Sequence, residues 1–193
     1  MLTRYLQKSM KKQNEHGYTL VELLAVIFIL VAVGTIIASI ITSVLRSSNK
    51  STNTETVRAN GNNAIAQMSR MIAYAQKIEN LSDGTNTYTD CVSQLATKHY
   101  KSVQIKGFDN GITTFSCENS QVASQSAAGT SFLVDPLSLS ASCWFQCSQE
   151  SAAAPAKIDI FLDLSTKTTA VFAESQATMH FEASVIPRNI TNR

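Results

Sequence analysis

The sequence predicts an α+β protein, helical at its N-terminal end and rich in antiparallel strands after it, on three observations. Residues Leu23 to Leu45 form an uninterrupted run of apolar and small side chains with no charge. Farther on, Ala64, Ile65, Met68, Met71, Ile72, Ala75 and Ile78 recur at three-and-four spacing, which lays one apolar face of a helix on a core. Later still the period falls to two, most plainly in Ile158, Ile160, Leu162 and Leu164, as a half-buried strand requires.

The apolar run comes first. About 20 residues suffice to cross a ~30 Å hydrocarbon core as a helix, so this run is a membrane candidate. Arg4, Lys8, Lys11 and Lys12 precede it, and an excess of positive charge on that side predicts a cytoplasmic N-terminus and a translocated C-terminal part. An ordinary secretory signal has an apolar region of about 7 to 15 residues and an A-x-A-like cleavage site, and neither is present. Cys91, Cys117, Cys143 and Cys147 all fall in the part expected outside, where disulfides persist.

One carboxylate stands out. Glu22 sits just inside the apolar run, within H-G-Y-T-L-V-E-L-L-A-V-I at His16 to Ile27, where a lone charge is costly. The order of features is a short basic leader, Gly17, Y-T-L-V-E at Tyr18 to Glu22, then the long apolar segment. This order resembles the type IV prepilins, the family of type IV pilins and of the pseudopilins of type II secretion. The resemblance implies cleavage between Gly17 and Tyr18 by a membrane-embedded prepilin peptidase, followed by N-methylation of Tyr18. The family usually begins its mature chain with Phe; Tyr18 keeps the ring and adds a hydroxyl.

The resemblance also gives Glu22 a task. The family's glutamate at the fifth mature position corresponds to Glu22, and it implies that this carboxylate pairs with the Tyr18 ammonium of an adjacent subunit. A helix shielded in a filament core would otherwise bury the charge unpaired, and registry is the best-attested use of a buried charge. A signal anchor in which Glu22 merely reaches the interface is the competing explanation. Many pilins carry a helix-breaking proline in the apolar segment; here Gly34 is the only breaker.

From Arg46 to Thr56 the chain is polar and poor in helix formers, and alone it reads as a linker. The resemblance favours instead one helix from about Thr19 to Glu79, packed against an antiparallel sheet in a type IV pilin-like headgroup, with Gly61-Asn62-Asn63 as its likeliest break. The resulting organisation is residues 1–17 as a leader, 18–45 as a transmembrane or filament-core helix, 46–80 as its amphipathic continuation, and 81–193 as the extracytoplasmic headgroup. Methionines in the stripe read as core filler.

L-S-D-G-T-N-T at Leu81 to Thr87 is turn chemistry that ends the helix. Ser102 to Lys106 and Ile112 to Ser116 flank F-D-N-G, whose Asn110-Gly111 is a hairpin cue. Further strands are expected at Thr130 to Val134, Ser142 to Phe145, Ile158 to Leu164 and Thr178 to Ile186. Asp159 and Asp163 alternate with apolar residues and read as the solvent face of a strand, not a catalytic pair. Trp144 is expected in the core. T-K-T-T-A-V-F-A reads as loop into strand, and P-R-N-I-T-N-R as a frayed terminus.

The four cysteines permit three pairings; Cys91 with Cys117 and Cys143 with Cys147 is the preferred one. C-W-F-Q-C is too widely spaced for a C-x-x-C redox motif and lacks companion zinc ligands, so it reads as a structural staple. His16, His99 and His180 have no metal or triad spacing. Asn49, Asn80 and Asn189 match N-x-[ST], a motif short enough to occur by chance.

The formal charge of +2 is small and scattered, which argues against a basic nucleic-acid surface. Removing the leader leaves 12 basic against 13 acidic residues, or −1. No enzymatic activity, metal or cofactor is expected. The resemblance implies a filament subunit whose partners are the prepilin peptidase, other pilin subunits, an inner-membrane assembly platform and the membrane itself before assembly. The polar stretch after the membrane helix, the A-I-A-Q-M-S-R-M-I stripe and the R-N near the C-terminus look more like a minor subunit or J-class pseudopilin. A major pilin, a subunit of a DNA-uptake filament, and a signal-anchored extracytoplasmic binding domain that never polymerises are the alternatives.

Overall fold

In the computed structural model, residues 17–92, 98–151, 154–167 and 176–188 are described. The basic leader with His16, most of T-K-T-T-A-V-F-A, and Asn189 with the rest of the C-terminal segment lie outside them. The helix α1 spans Leu20–Ala73. Nine strands follow among the described residues: β1 Lys77–Ser82, β2 Thr87–Tyr88, β3 Ser102–Lys106, β4 Ile112–Glu118, β5 Gln121–Ser126, β6 Gly129–Phe132, β7 Leu139–Ser148, β8 Lys157–Thr166 and β9 Thr178–Val185. They form a six-stranded sheet in the order β2-β1-β3-β4-β5-β6 and a three-stranded sheet β7-β8-β9, with every pairing antiparallel. The class is α+β, as expected.

The chain divides into two compact units, Met1–Leu45 and Arg46–Arg193. In the first, the described residues of α1 are exposed throughout, including Phe28 at 76% and Leu30 at 65%. Three of its hydroxyls are turned back onto the helix: Thr35 donates to the Ala32 carbonyl at 2.8 Å, Ser39 to Ile36 at 2.7 Å and Thr42 to Ala38 at 3.1 Å. An apolar surface with its polar atoms satisfied internally is what a hydrocarbon environment demands.

The second unit holds the core. Val57, Gly61, Ala64, Met68 and Ile72 are the buried positions of α1, the three-and-four stripe extended by two turns toward the N-terminus. Met68 is fully buried, as a core-filling methionine should be. The segment 46–56, which reads as a linker on composition, is helical. Thr52, Thr54 and Thr56 donate to the carbonyls of Ser48, Lys50 and Thr52. Such bonds do not favour the helix; the segment is held because helix already exists on both sides, so propagation needs no new nucleus.

Gly61 does not break α1. A Cβ placed there would lie 2.2 Å from Cε2 and Cζ of Phe181, so the glycine admits a ring of β9 against the helix backbone. The break expected at Gly61-Asn62-Asn63 is therefore a point of close approach. The helix also stops at Ala73, short of Glu79. Gln76 N–H donates to the Lys106 carbonyl at 2.8 Å, and Ile78, read as the last residue of the helical stripe, pairs with Ile105 of β3. One apolar residue serves either periodicity, and the neighbouring strand decides.

In β8, Ile158, Ile160, Leu162 and Leu164 are fully buried, while Asp159 and Asp163 take the other face. The β3–β4 connection carries Asn110 at φ 62°, a left-handed conformation that asparagine tolerates. The β4–β5 turn uses Asn119 at φ 52° and Ser120 at φ 58° between the paired Glu118 and Gln121, the two left-handed residues of a type I′ hairpin. Trp144 is not in the core. Phe145 takes the buried position at 0% exposure, so alternation turns Trp144 to the outer face of β7, where it is half-buried.

The disulfides join Cys91 to Cys147 and Cys117 to Cys143, which replaces the preferred pairing. Cys143 and Cys147 lie four residues apart on β7, about 13 Å at strand rise, far beyond the Cα separation a disulfide accepts. Their actual partners lie 5.4 and 5.7 Å away by Cα. Closing loops of 26 and 56 residues restricts the unfolded chain by roughly 3.5 to 4 kcal/mol each in the chain-entropy account.

Gly61→Val should destabilise the second unit by about 1–3 kcal/mol, because the Phe181 ring must be displaced. Denaturant unfolding followed by Trp144 fluorescence measures the loss, and adding Phe181→Ala should recover part of it.

Candidate functional site

The candidate site is built at the start of α1. Gly17, Tyr18 and Thr19 are exposed and not helical, with Tyr18 at 79% exposure. The Thr19 carbonyl accepts the Glu22 N–H at 3.1 Å and the Leu23 N–H at 3.2 Å. Its hydroxyl oxygen accepts the same Glu22 N–H at 3.3 Å. Thr19 is thus the N-cap of the helix, satisfying one of the donors every helix start leaves free. Glu22 is the third helical residue, so T-L-V-E has the spacing of a capping box, and a carboxylate in the first turn suits the helix dipole. Sequence reasoning assigned Glu22 and passed over Thr19; the Thr-x-x-Glu spacing was the signal.

Among the described residues nothing requires a glycine at Gly17. A Cβ there would meet nothing within 4 Å, and its φ is not positive. Gly34, the breaker of the apolar segment, is equally unconstrained and does not interrupt α1. Both differ from Gly61, whose missing side chain the fold requires. Among the described helices α1 is long and apolar enough to cross a membrane.

A second cluster lies on the outer face of β7-β8-β9. Trp144 stacks on Phe161 across the strand pair, centroids 5.4 Å apart at 11°, and His99 stacks on Trp144 at 5.5 Å. The Phe161 and His180 rings lie 6.3 Å apart. His180 Nδ1 is 2.6 Å from Asp163 Oδ1, a juxtaposition of β8 and β9 that sequence order hides. Asp159 meets Lys157 Nζ at 2.9 Å and accepts from the Ser184 hydroxyl. Asp159 and Asp163 thus each have a cross-strand or same-strand partner, the usual arrangement of a solvated sheet surface. Among the described residues no three His, Cys, Asp or Glu side chains converge as a metal site would need.

A third cluster stabilises the β1–β2 loop. The backbone N–H groups of Asn86 and Thr85 donate to Asp83 and hold its carboxyl well below the usual carboxylate range. Lys98 Nζ lies 3.3 Å from Asp83 and hydrogen-bonds the Tyr88 hydroxyl, which raises the Lys98 ammonium pKa above its ordinary value. These are loop anchors. Asn80, one of the sequons, is half-buried with its amide donating to Gln104 at 2.7 Å, so its nitrogen is already engaged; Asn49 is exposed on α1.

No family model matches the chain, and searches of curated proteins and of solved structures return no match either.

Thr19→Ala should fray the first turn of α1 by about 1 kcal/mol, the usual loss of an N-cap. Hydrogen exchange of the Glu22 and Leu23 amides in bilayers should accelerate about fivefold, with amides beyond Val26 unchanged.

Proposed function

We propose that this chain is a prepilin: a membrane-anchored precursor cut between Gly17 and Tyr18, N-methylated at Tyr18, and assembled through α1 into a type IV pilus or a type II secretion pseudopilus. The observation that carries the reading is the pairing of an unconstrained glycine with a carboxylate three residues into α1, whose part up to Leu45 is otherwise uncharged, apolar and exposed. Fold stability does not explain Gly17, and the capping-box spacing of Glu22 does not require that its carboxylate enter an apolar phase. A peptidase that needs an uncluttered residue before its scissile bond explains Gly17, and a neighbour's terminal ammonium explains Glu22.

In this reading the Tyr18 amine exists only after cleavage, so processing creates the cation that the Glu22 carboxylate of an adjacent subunit accepts. The pair is worth most where water is excluded, and a charge left alone there is strongly unfavourable. Subunits would therefore settle at the axial offset that brings the two together. The N-terminus lies in the cytoplasm and Arg46 onward outside, an orientation supported by the four basic residues before the helix and by two disulfides in the second unit. The chain has a structural role and no catalytic one; its partners are the prepilin peptidase, other pilin subunits and the assembly platform.

A membrane preparation of a strain expressing Gly17→Val should hold only the longer, leader-bearing form on an immunoblot. Glu22→Ala should be shortened normally yet fall at least tenfold in sheared filament fractions. A Glu22→Ala chain that enters filaments like the parent contradicts the role given to this carboxylate.

A further inference from the structure

Two surfaces of the Arg46–Arg193 unit are largely exposed, and they are opposite in charge. The first is the N-terminal stretch of α1 in this unit, residues 46–58. It carries Arg46, Lys50 and Arg58 against Glu55 alone, its residues from 46 to 52 are exposed, and Arg58 touches Glu55 only at 3.9 Å with both side chains more than half exposed. Its composition is poor in helix formers, so a covering partner would stabilise it.

The second is the outer face of β7-β8-β9. Asp159, Asp163 and Glu182 lie on it against Lys157, around the Trp144–Phe161 stack. Phe145 bridges to Tyr100 and pairs with Ile160, so β7 runs between residue 100 and β8. His99 and Phe161 therefore cover Trp144 from opposite sides, and the stack offers ring edges to solvent. A sugar or an organic cation needs an open ring face; a ridge of edges ringed by carboxylates suits a protein surface, where Trp and other aromatics are common anchors.

We propose that the outer face of β7-β8-β9 docks the basic stretch 46–58 of a second copy of this chain, with Glu182 facing Lys50 and Arg58 of the neighbour. The inference rests on the filament reading. Two different patches meet in such a contact, so it is heterologous and propagates as an open array instead of closing as a two-fold dimer. Charge complementarity sets its register and makes it salt-sensitive, and it places a second, headgroup-level contact beside the Tyr18–Glu22 pair.

The test uses the full chain in its native membrane. The native cysteines are closed in disulfides, so a short bismaleimide sees only introduced thiols. The double variant Lys50→Cys, Glu182→Cys should give a ladder of dimers, trimers and higher multimers in filament fractions, reduced at least tenfold by adding Glu22→Ala. A lone dimer band, a cross-link only to a different protein, or a monomer inside filaments that assemble normally overturns the contact and leaves the filament reading standing. A parent chain that never polymerises overturns both. If the cysteine pair itself blocks assembly, charge exchange decides: Glu182→Lys and Lys50→Glu should each lower filament yield several-fold and together restore it, and no restoration overturns the proposal.

Discussion

The constraint on which everything else depends is the exposure of α1 before residue 46. Burying the apolar side chains of such a segment is favourable by about 1.5–3 kcal/mol for each large one, a total on the order of tens of kcal/mol that this chain does not collect within its own fold. The segment therefore needs an external apolar phase, and two kinds can supply it: a bilayer, or an apolar surface of another chain. In either phase a lone carboxylate is the exceptional group. Its position in the first turn, next to a threonine cap, keeps it near the end of the helix, where a terminal ammonium can reach it.

The Arg46–Arg193 unit has the opposite character, since it encloses a hydrophobic core of its own. A single stripe of α1 from Val57 to Ile72 packs into a core shared with both sheets, and Phe181 lies where a side chain at Gly61 would stand. The two disulfides tie different parts of the chain to β7, one from β4 and one from the loop after β2. The strand that carries both half-cystines of C-W-F-Q-C is thereby fixed at two points about 13 Å apart, and its outward residues, Trp144 among them, are held in a defined register with β8.

Much of this was legible in the sequence. Apolar length gave the membrane-competent helix, period-two burial gave β8, and Asn110-Gly111 gave the β3–β4 hairpin. What was hidden has physical causes. Strands β1, β2 and β5 are short or polar, and their existence depends on hydrogen bonds to β3, β1 and β4 respectively that no local pattern encodes. Gly61 reads as a helix breaker because propensity knows nothing of Phe181, 120 positions away. The expected strand ended at Phe145, whereas β7 carries both Cys143 and Cys147 and strand geometry forbids their joining; between the two pairings that remain, only the fold decides. At the candidate site, Gly17, Tyr18 and Glu22 were legible as a motif, whereas Thr19 became visible only as the hydrogen-bonded cap.

The central claim is that Gly17 is the last residue of a removable leader. Intact mass and N-terminal sequencing of the chain purified from its native membrane test it most directly. The account predicts a mature chain that begins at Tyr18 and carries one added methyl on its amine. A chain that begins at Met1 or Leu2 would contradict it and leave a plain signal anchor, with Glu22 at the membrane interface and no new ammonium for it to meet.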